Sequence, residues 1–522
     1  MANKRLQPVK KAKKGILSVI FSRVFVLSAL IIIQLLVFAS TITYLKDYAT
    51  YIYAFFLVMG IVIIIYIIND KSNTDFKMTW ILLIMAVPIV GAAFYAFLKS
   101  QPGTKAIEKR ISELKKETDS YMMQDAQVLD EIRKSKPANA NLVTYLNNQM
   151  SYPIYRNSPV TYFPSGEEKF EALKTRLKQA EEYIFLEYFI IEKGVMWNEI
   201  LDILKEKVWQ GVDVRVLYDG MCSLQALPYH YDKELKRAGI KCKQFSPIRP
   251  VVSSYQNNRD HRKICVIDGK AAFTGGVNLA DEYINKKERF GHWKDTAIMV
   301  EGEAVQSFTM LFLQMWNLSE KRTEDYERYI VSKTSDTKNE LGYVLPYADG
   351  PYEKQSVGEQ VYLHILHHAK KYVHIMTPYL IIDHDMLSTL QYVASCGVEV
   401  IIIMPHIPDK WYAFVVAQTY YESLLDAGVQ IYEYTPGFVH AKVFVSDNDT
   451  ATVGTINLDY RSLYHHYECG AFIYHNPVVW DIERDFQNTL QQCQKVTKEN
   501  LKKRNIFGKI AGRILRLIAP LM

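Results

Sequence analysis

Two short stretches of the chain carry the same polar pattern. One has His261-x-Lys263, then Asp268, Gly275, Gly276 and Asn278; the other has His440-x-Lys442, then Asp447, Gly454, Thr455 and Asn457. On a β-strand, residues i and i+2 point to one face, so each histidine shares a side with its lysine while Arg262 and Ala441 point away. An imidazole titrates near neutral pH, so it can serve as a nucleophile or move a proton. An ammonium group beside it stabilises negative charge as it develops. A lone histidine on a strand is ordinarily a hydrogen-bonded structural residue. Here the asparagine follows the histidine by 17 positions in both stretches, and a His–Lys pair recurring in that frame reads as catalytic.

The elements that carry these stretches are themselves repeated. AEEYIFLEYFI from Ala180 is matched by AKKYVHIMTPYLI from Ala369, GVDVRVLYD from Gly211 by GVEVIIIMP from Gly397, and LKRAGIKCKQFSP from Leu235 by LLDAGVQIYEYTP from Leu424. The matches come in the same order in both halves. Short apolar, β-branched runs alternating with helical patterns predict α/β layers, with helices on the sheet faces. The chain therefore reads as two duplicated α/β units, 151–330 and 331–500.

Ahead of them lie a basic tail (1–20) and a region (21–100) with three apolar stretches, about 24–44, 51–68 and 78–97. Each approaches the ~20 residues of a membrane-spanning helix. The basic residues before the first stretch and after the third both favour the cytoplasm. Three full spans cannot satisfy both ends, so the third, interrupted by Pro88 and Gly91, is the candidate for a non-spanning segment. A charged linker (101–150) follows. At the end, residues 501–522 place Ile506, Ile510, Ile514 and Leu517 on one helical stripe and Lys502, Lys509, Arg513 and Arg516 on another, a pattern suited to an anionic membrane surface. The formal charge of +6 over 522 residues does not announce a nucleic-acid binder. Six cysteines without CxxC spacing argue for reduced thiols. No metal-ligand spacing is present, and adjacent positions in His367-His368 and His465-His466 point apart, which leaves them as surface or packing residues.

The paired stretches resemble the HKD motifs of the phospholipase D superfamily, over about residues 160 to 490. The resemblance implies that the two units face each other and build one active site, with His261, Lys263, Asp268, His440, Lys442 and Asp447 as the motif residues. One histidine would attack a phosphodiester phosphorus and become covalently phosphorylated, and the other would protonate the leaving alkoxide. Lys263, Lys442, Asn278, Asn457 and Thr455 would hold the phosphate oxygens, with neither metal nor cofactor. By family analogy Asp268 and Asp447 fix local structure, while Glu468 would orient His440 and Asp295 takes the comparable place in the first half. Gly276 departs from the commoner Gly-Ser form, which removes one hydroxyl donor.

Within the superfamily, TWILLIMAVPIVGAAFYAFLK, FLEYFII, TGGVNLADEY, TPYLIID and GTINLDYRS look like segments of bacterial cardiolipin synthases. That resemblance implies a multi-pass enzyme of the bacterial cell membrane, with cytoplasmic catalytic units acting on phosphatidylglycerol and other anionic lipids. Two phosphatidylglycerols would give cardiolipin and glycerol through a phosphatidyl-histidine on His261, with His440 as acid and base. A membrane phospholipase D hydrolase, or a phosphatidyltransferase with another alcohol acceptor, is the alternative. A nuclease fits the motifs but not the apolar stretches, and a non-enzymatic scaffold fits neither intact motif.

Overall fold

A computed structural model describes residues 46–99, 102–221, 226–247, 257–320, 324–330, 342–353 and 355–521. The basic tail, the first apolar stretch and Cys222 lie outside them. The chain divides into two compact units. One holds the N-terminal helices and the other runs through residues 103–247 and 257–522.

In the N-terminal unit, α1 (Ala49–Asn69) is followed by α2 (Thr74–Ala86) and α3 (Pro88–Lys99). Asn73 caps α2 by accepting the Asp75 N–H at 2.9 Å. Pro88 has no N–H to donate, and the helix breaks at Val87, where the sequence placed an interruption. Gly91 packs so closely that a Cβ there would fall 2.9 Å from Ile84 Cα. Ile67, Ile84 and Tyr95 form a small core, with Trp80 against the Tyr95 ring at 5.3 Å. Among the described residues no helix is long and apolar enough to cross a membrane. α1 itself is 21 residues long. Its Phe55, Val58, Ile61, Val62, Ile65 and Ile68 are nevertheless exposed.

The segment expected as a linker is helical: α4 (Pro102–Asp119), α5 (Ala126–Ser135) and α6 (Pro137–Met150). It is fastened to the α/β halves. Lys136 pairs with Asp449 at 2.9 Å, His364 Nε2 lies 2.9 Å from Asn139 Oδ1, and Gln314 donates to Thr118 Oγ1 at 2.7 Å. Its charges decorate the outer faces of amphipathic helices, which composition alone reads as a solvated tether.

The first half supplies β1 (Val160–Phe163), α7 (Gly166–Gln179), β2 (Tyr183–Tyr188), α8 (Val195–Trp209), β3 (Asp213–Asp219), α9 (Tyr231–Arg237) and β4 (Lys241–Phe245). Then come β5 (Lys263–Ile267), β6 (Ala271–Gly275), β7 (His292–Lys294), β8 (Ala297–Glu301) and α10 (Val305–Asn317). The second half supplies β9 (Tyr343–Asp349), α11 (Val357–His368), β10 (Tyr372–Met376), β11 (Leu380–Ile381), α12 (His384–Ser395), β12 (Glu399–Pro405) and α13 (Trp411–Asp426). It continues with β13 (Gln430–Tyr434), β14 (Gly437–Val439), β15 (Val443–Ser446), β16 (Thr450–Gly454), β17 (Leu458–Asp459), α14 (Tyr460–Tyr464), β18 (Glu468–Tyr474) and α15 (Val478–Leu490). β19 (Cys493–Lys495), α16 (Lys498–Lys502) and α17 (Ile506–Ile518) close the chain.

The duplication is visible in strand order. One sheet runs β1-β8-β6-β5-β2-β3-β4; the other, read in the same sense, runs β9-β18-β16-β15-β10-β12-β13 and adds β19 at its edge. In each, the first two repeated strands and the third pair in parallel, and the motif strand lies antiparallel beside them. Gly211 and Gly397 lead into β3 and β12 with φ of 93° and 90°, a left-handed turn that a side chain resists. The halves are locked together by their helices. Every residue of α10 is buried, and it packs on β2, β5 and β6 of its own sheet and on β9 of the other. α15 likewise packs on β10, β13, β15 and β16, and on β1.

Candidate active site

His261 sits two residues ahead of β5 and His440 three ahead of β15, each on a segment that pairs with the opposite half. β14 runs parallel to β7, and the His440 N–H bonds the Lys294 carbonyl at 2.7 Å. In the other half Asp260 bridges Tyr467, and the His261 N–H bonds the Tyr467 carbonyl at 2.9 Å. The next residue after Lys294 is Asp295, and the next after Tyr467 is Glu468. The pairing therefore delivers each carboxylate to the histidine of the other half. His261 Nδ1 lies 2.9 Å from both Glu468 oxygens, and His440 Nδ1 lies 2.7 Å from Asp295 Oδ2. The sequence reading matched Glu468 with His440 and Asp295 with the first half; the geometry exchanges the partners. Both carboxylates are fully buried. An ionised carboxylate only accepts, so each ring donates from Nδ1 and keeps its Nε2 lone pair for chemistry.

The lysines share the histidines' surroundings, as alternation predicts. Lys263 Nζ donates to the His261 carbonyl at 2.5 Å, and Lys442 Nζ donates to the His440 carbonyl. Four basic groups are thus buried around two carboxylates. Burial, with Lys263 and Lys442 nearby, holds His261 well below its usual 6.5. Burial and Lys442 hold His440 at about 4, against the pull of Asp295. Burial also brings Lys263 down to about 8 and Lys442 to about 7. A phosphodiester would supply the missing negative charge and restore protons to these groups. In the free enzyme, kcat/KM is therefore expected to fall as pH rises through about 7 to 8, where the lysines lose their protons. Lys442→Arg, which does not titrate in this range, should move that falling limb upward, as a pH–rate profile will show. An unmoved limb would assign it to another group.

The remaining predicted residues divide. Asp268 and Asp447 do not face the reaction centre. Asp268 accepts the N–H groups of Glu181, Glu182 and Tyr183, each at 2.8 Å. Asp447 accepts those of Lys370, Lys371 and Tyr372 at 2.7, 2.9 and 3.1 Å. Both anchor the start of a central strand from a left-handed turn, and their place among the catalytic residues is corrected to a structural one. Asn278 is occupied as well: its Oδ1 accepts the Ile190 N–H at 3.0 Å and its Nδ2 donates to the Tyr283 hydroxyl at 2.7 Å. Asn457 Oδ1 is buried without a hydrogen-bond partner among the described residues. Thr455 was expected on phosphate, but its hydroxyl donates to Glu468 Oε2 and to the Cys469 carbonyl, the latter at 3.1 Å. Ser462 donates to the other Glu468 oxygen. Gly276 is explained by the same geometry. A Cβ there would fall 1.9 Å from Asp295 Oδ1, so the glycine gives the carboxylate that holds His440 its space.

His466 was read as a packing residue and is part of the site. Its ring centroid is 5.5 Å from that of His261. Adjacent residues do point apart, so only one of His465 and His466 could face inward. The overlooked signal was the i,i+2 spacing to Glu468, which places both side chains on one face. Phe189 completes the wall, 4.7 Å from the His261 ring.

Comparison with known proteins places the chain in a family. Residues 173–316 and 362–490 match the family described as cardiolipin synthase, PLD-like domain, and residues 58–99 match phospholipase D-nuclease N-terminal. An uncharacterized protein of Streptococcus mutans is 50% identical over 461 residues, covering 88% of this chain and 99% of its own. A cardiolipin synthase of Alkalihalophilus pseudofirmus is 34% identical over 461 residues, covering 88% and 91%. Among solved structures, the phosphatidylserine synthase of Haemophilus influenzae shares the fold with a TM-score of 0.56 at 16% identity, covering 74% of this chain and 98% of that one.

Proposed function

This chain belongs to the cardiolipin synthase family of phospholipase D-like proteins, and we propose that it is a phosphatidyltransferase that joins two phosphatidylglycerols into cardiolipin and glycerol. The lone pair on His261 Nε2 attacks the phosphorus of the first lipid. The phosphorus–oxygen bond to its terminal glycerol breaks, and protonated His440 gives that oxygen its proton. Neutral His440 then takes the proton from a headgroup hydroxyl of the second lipid. This oxygen attacks the phosphohistidine, the phosphorus–nitrogen bond breaks, and His261 returns unchanged. Lys263, Lys442 and Asn457 hold the phosphate oxygens.

The observation that carries this reading is the crossed pair of histidine–carboxylate contacts, which readies two imidazoles of equal tautomer for opposite roles. Their carboxylates are unequal. Glu468 also accepts two hydroxyls, which spread its charge, whereas among the described residues Asp295 otherwise accepts the Thr296 N–H, at 2.8 Å. Asp295 is therefore the stronger support for an imidazolium, and His440 is the better acid and base. The N-terminal helices lie in the membrane and the catalytic units on its cytoplasmic side. α17 rests on the anionic surface, because its Ile506, Phe507, Ile510 and Ile514 are exposed while Gly512 seats the other face against Val415 of α13. Anchoring keeps the acceptor lipid at high effective concentration.

The test is product analysis with the purified protein in mixed micelles of labelled phosphatidylglycerol. Equal amounts of cardiolipin and glycerol are expected. Phosphatidic acid as the sole lipid product would make the chain a hydrolase, and a product only with an added alcohol would change the acceptor.

A further inference from the structure

We propose that His261, His466 and Glu468 form a binding site for zinc, and that its occupancy switches the nucleophile off. Each of the three offers a ligand atom, and these atoms lie within 4.8 Å of one another. His261 Nδ1 is 2.9 Å from Glu468, and His466 Nδ1 is 3.7 Å from Glu468 Oε1, beyond hydrogen-bond reach. Both ring nitrogens of His466 are buried and have no hydrogen-bond partner among the described residues. A buried imidazole left in that state is costly. A cation held among the three side chains supplies the missing partner.

The donor set selects the metal. Two imidazoles and one carboxylate suit zinc, with bonds of about 2.0–2.2 Å and a fourth position left to water. Magnesium and calcium require oxygen ligands. Lys263, Lys442 and Arg461 oppose a cation here, and Glu468 and Asp295 favour one. Binding consequently depends on the nitrogen ligands rather than on charge alone.

Coordination would also decide the state of His261. A neutral imidazole has one lone pair and one N–H. A metal on either nitrogen takes the lone pair, and the proton stays on the other, so none remains to attack phosphorus. This consequence, unlike the binding, rests on the transfer reaction proposed above.

The experiment titrates zinc, and cobalt as a coloured substitute, into the metal-free full-length protein, with His466→Asn and His466→Gln in parallel. One zinc per chain is expected, weakened in both variants by more than the roughly 10–100-fold that loss of a group merely supporting a ligand costs, with cobalt giving visible absorption that the variants lose. Lipid turnover, scaled to each protein's own zinc-free rate, should be inhibited by zinc, with half-inhibition shifted by the same factor. No binding, or binding unchanged in both variants, overturns the site. Binding that depends on His466 but leaves turnover untouched overturns the switch and returns the question to which histidine attacks.

Discussion

His261→Ala and His440→Ala should each lower phosphatidyl transfer by roughly 10^4–10^6-fold, because members of a catalytic unit fail together rather than additively. They should fail at different steps. Protonation by His440 matters only for a poor leaving group. With a phosphodiester bearing a nitrophenyl group, which departs without a proton, His440→Ala is expected to release a burst of nitrophenol. It should then retain the lipid-phosphoryl label through an alkaline quench, as a phosphoramidate does. His261→Ala should give neither burst nor label. A burst in His261→Ala and none in His440→Ala would exchange the two roles.

Glu468→Gln should cost roughly 10^3–10^4-fold, on the scale seen when a carboxylate that fixes a catalytic tautomer becomes an amide. Gln can present an N–H to the imidazole Nδ1, and the ring then holds its proton on the wrong nitrogen. A double-mutant cycle separates the crossed arrangement from pairing within each half. Glu468→Gln should add little to His261→Ala, and Asp295→Asn little to His440→Ala, since each partner is already gone. Coupling found instead between His440 and Glu468 would mean that the halves do not exchange carboxylates in solution. Thermal melts of all four variants would show that the losses are not unfolding.

The sequence was informative wherever a pattern recurred in both halves. Apolar runs led by Gly211 and Gly397 became equivalent strands, and His–Lys alternation put each pair on one side. The aspartates of the motifs, set beyond their strands, proved to be anchors for backbone amides. What could not be read was anything decided between halves. Spacing along the chain favours the nearer carboxylate, but β7 and β14 pair across the duplication and carry Asp295 to the distant histidine. Asn278 and Asn457 hold equivalent positions, yet Tyr283 engages only the first. The helical nature of 101–150 was hidden because charge was read as composition rather than as one face of α4 to α6. The second and third apolar stretches gave α1 and the broken pair α2–α3, with the break at the proline.

The exchange of carboxylates also orders events during synthesis. The chain emerges amino end first, so the half bearing His261 is made before its partner Glu468, 207 residues later. At ribosomal rates that interval is roughly 10–40 s. Throughout it, the nascent chain holds a histidine whose tautomer nothing yet fixes. Both crossed histidine–carboxylate pairs therefore wait on docking of the halves and do not follow from folding of the first.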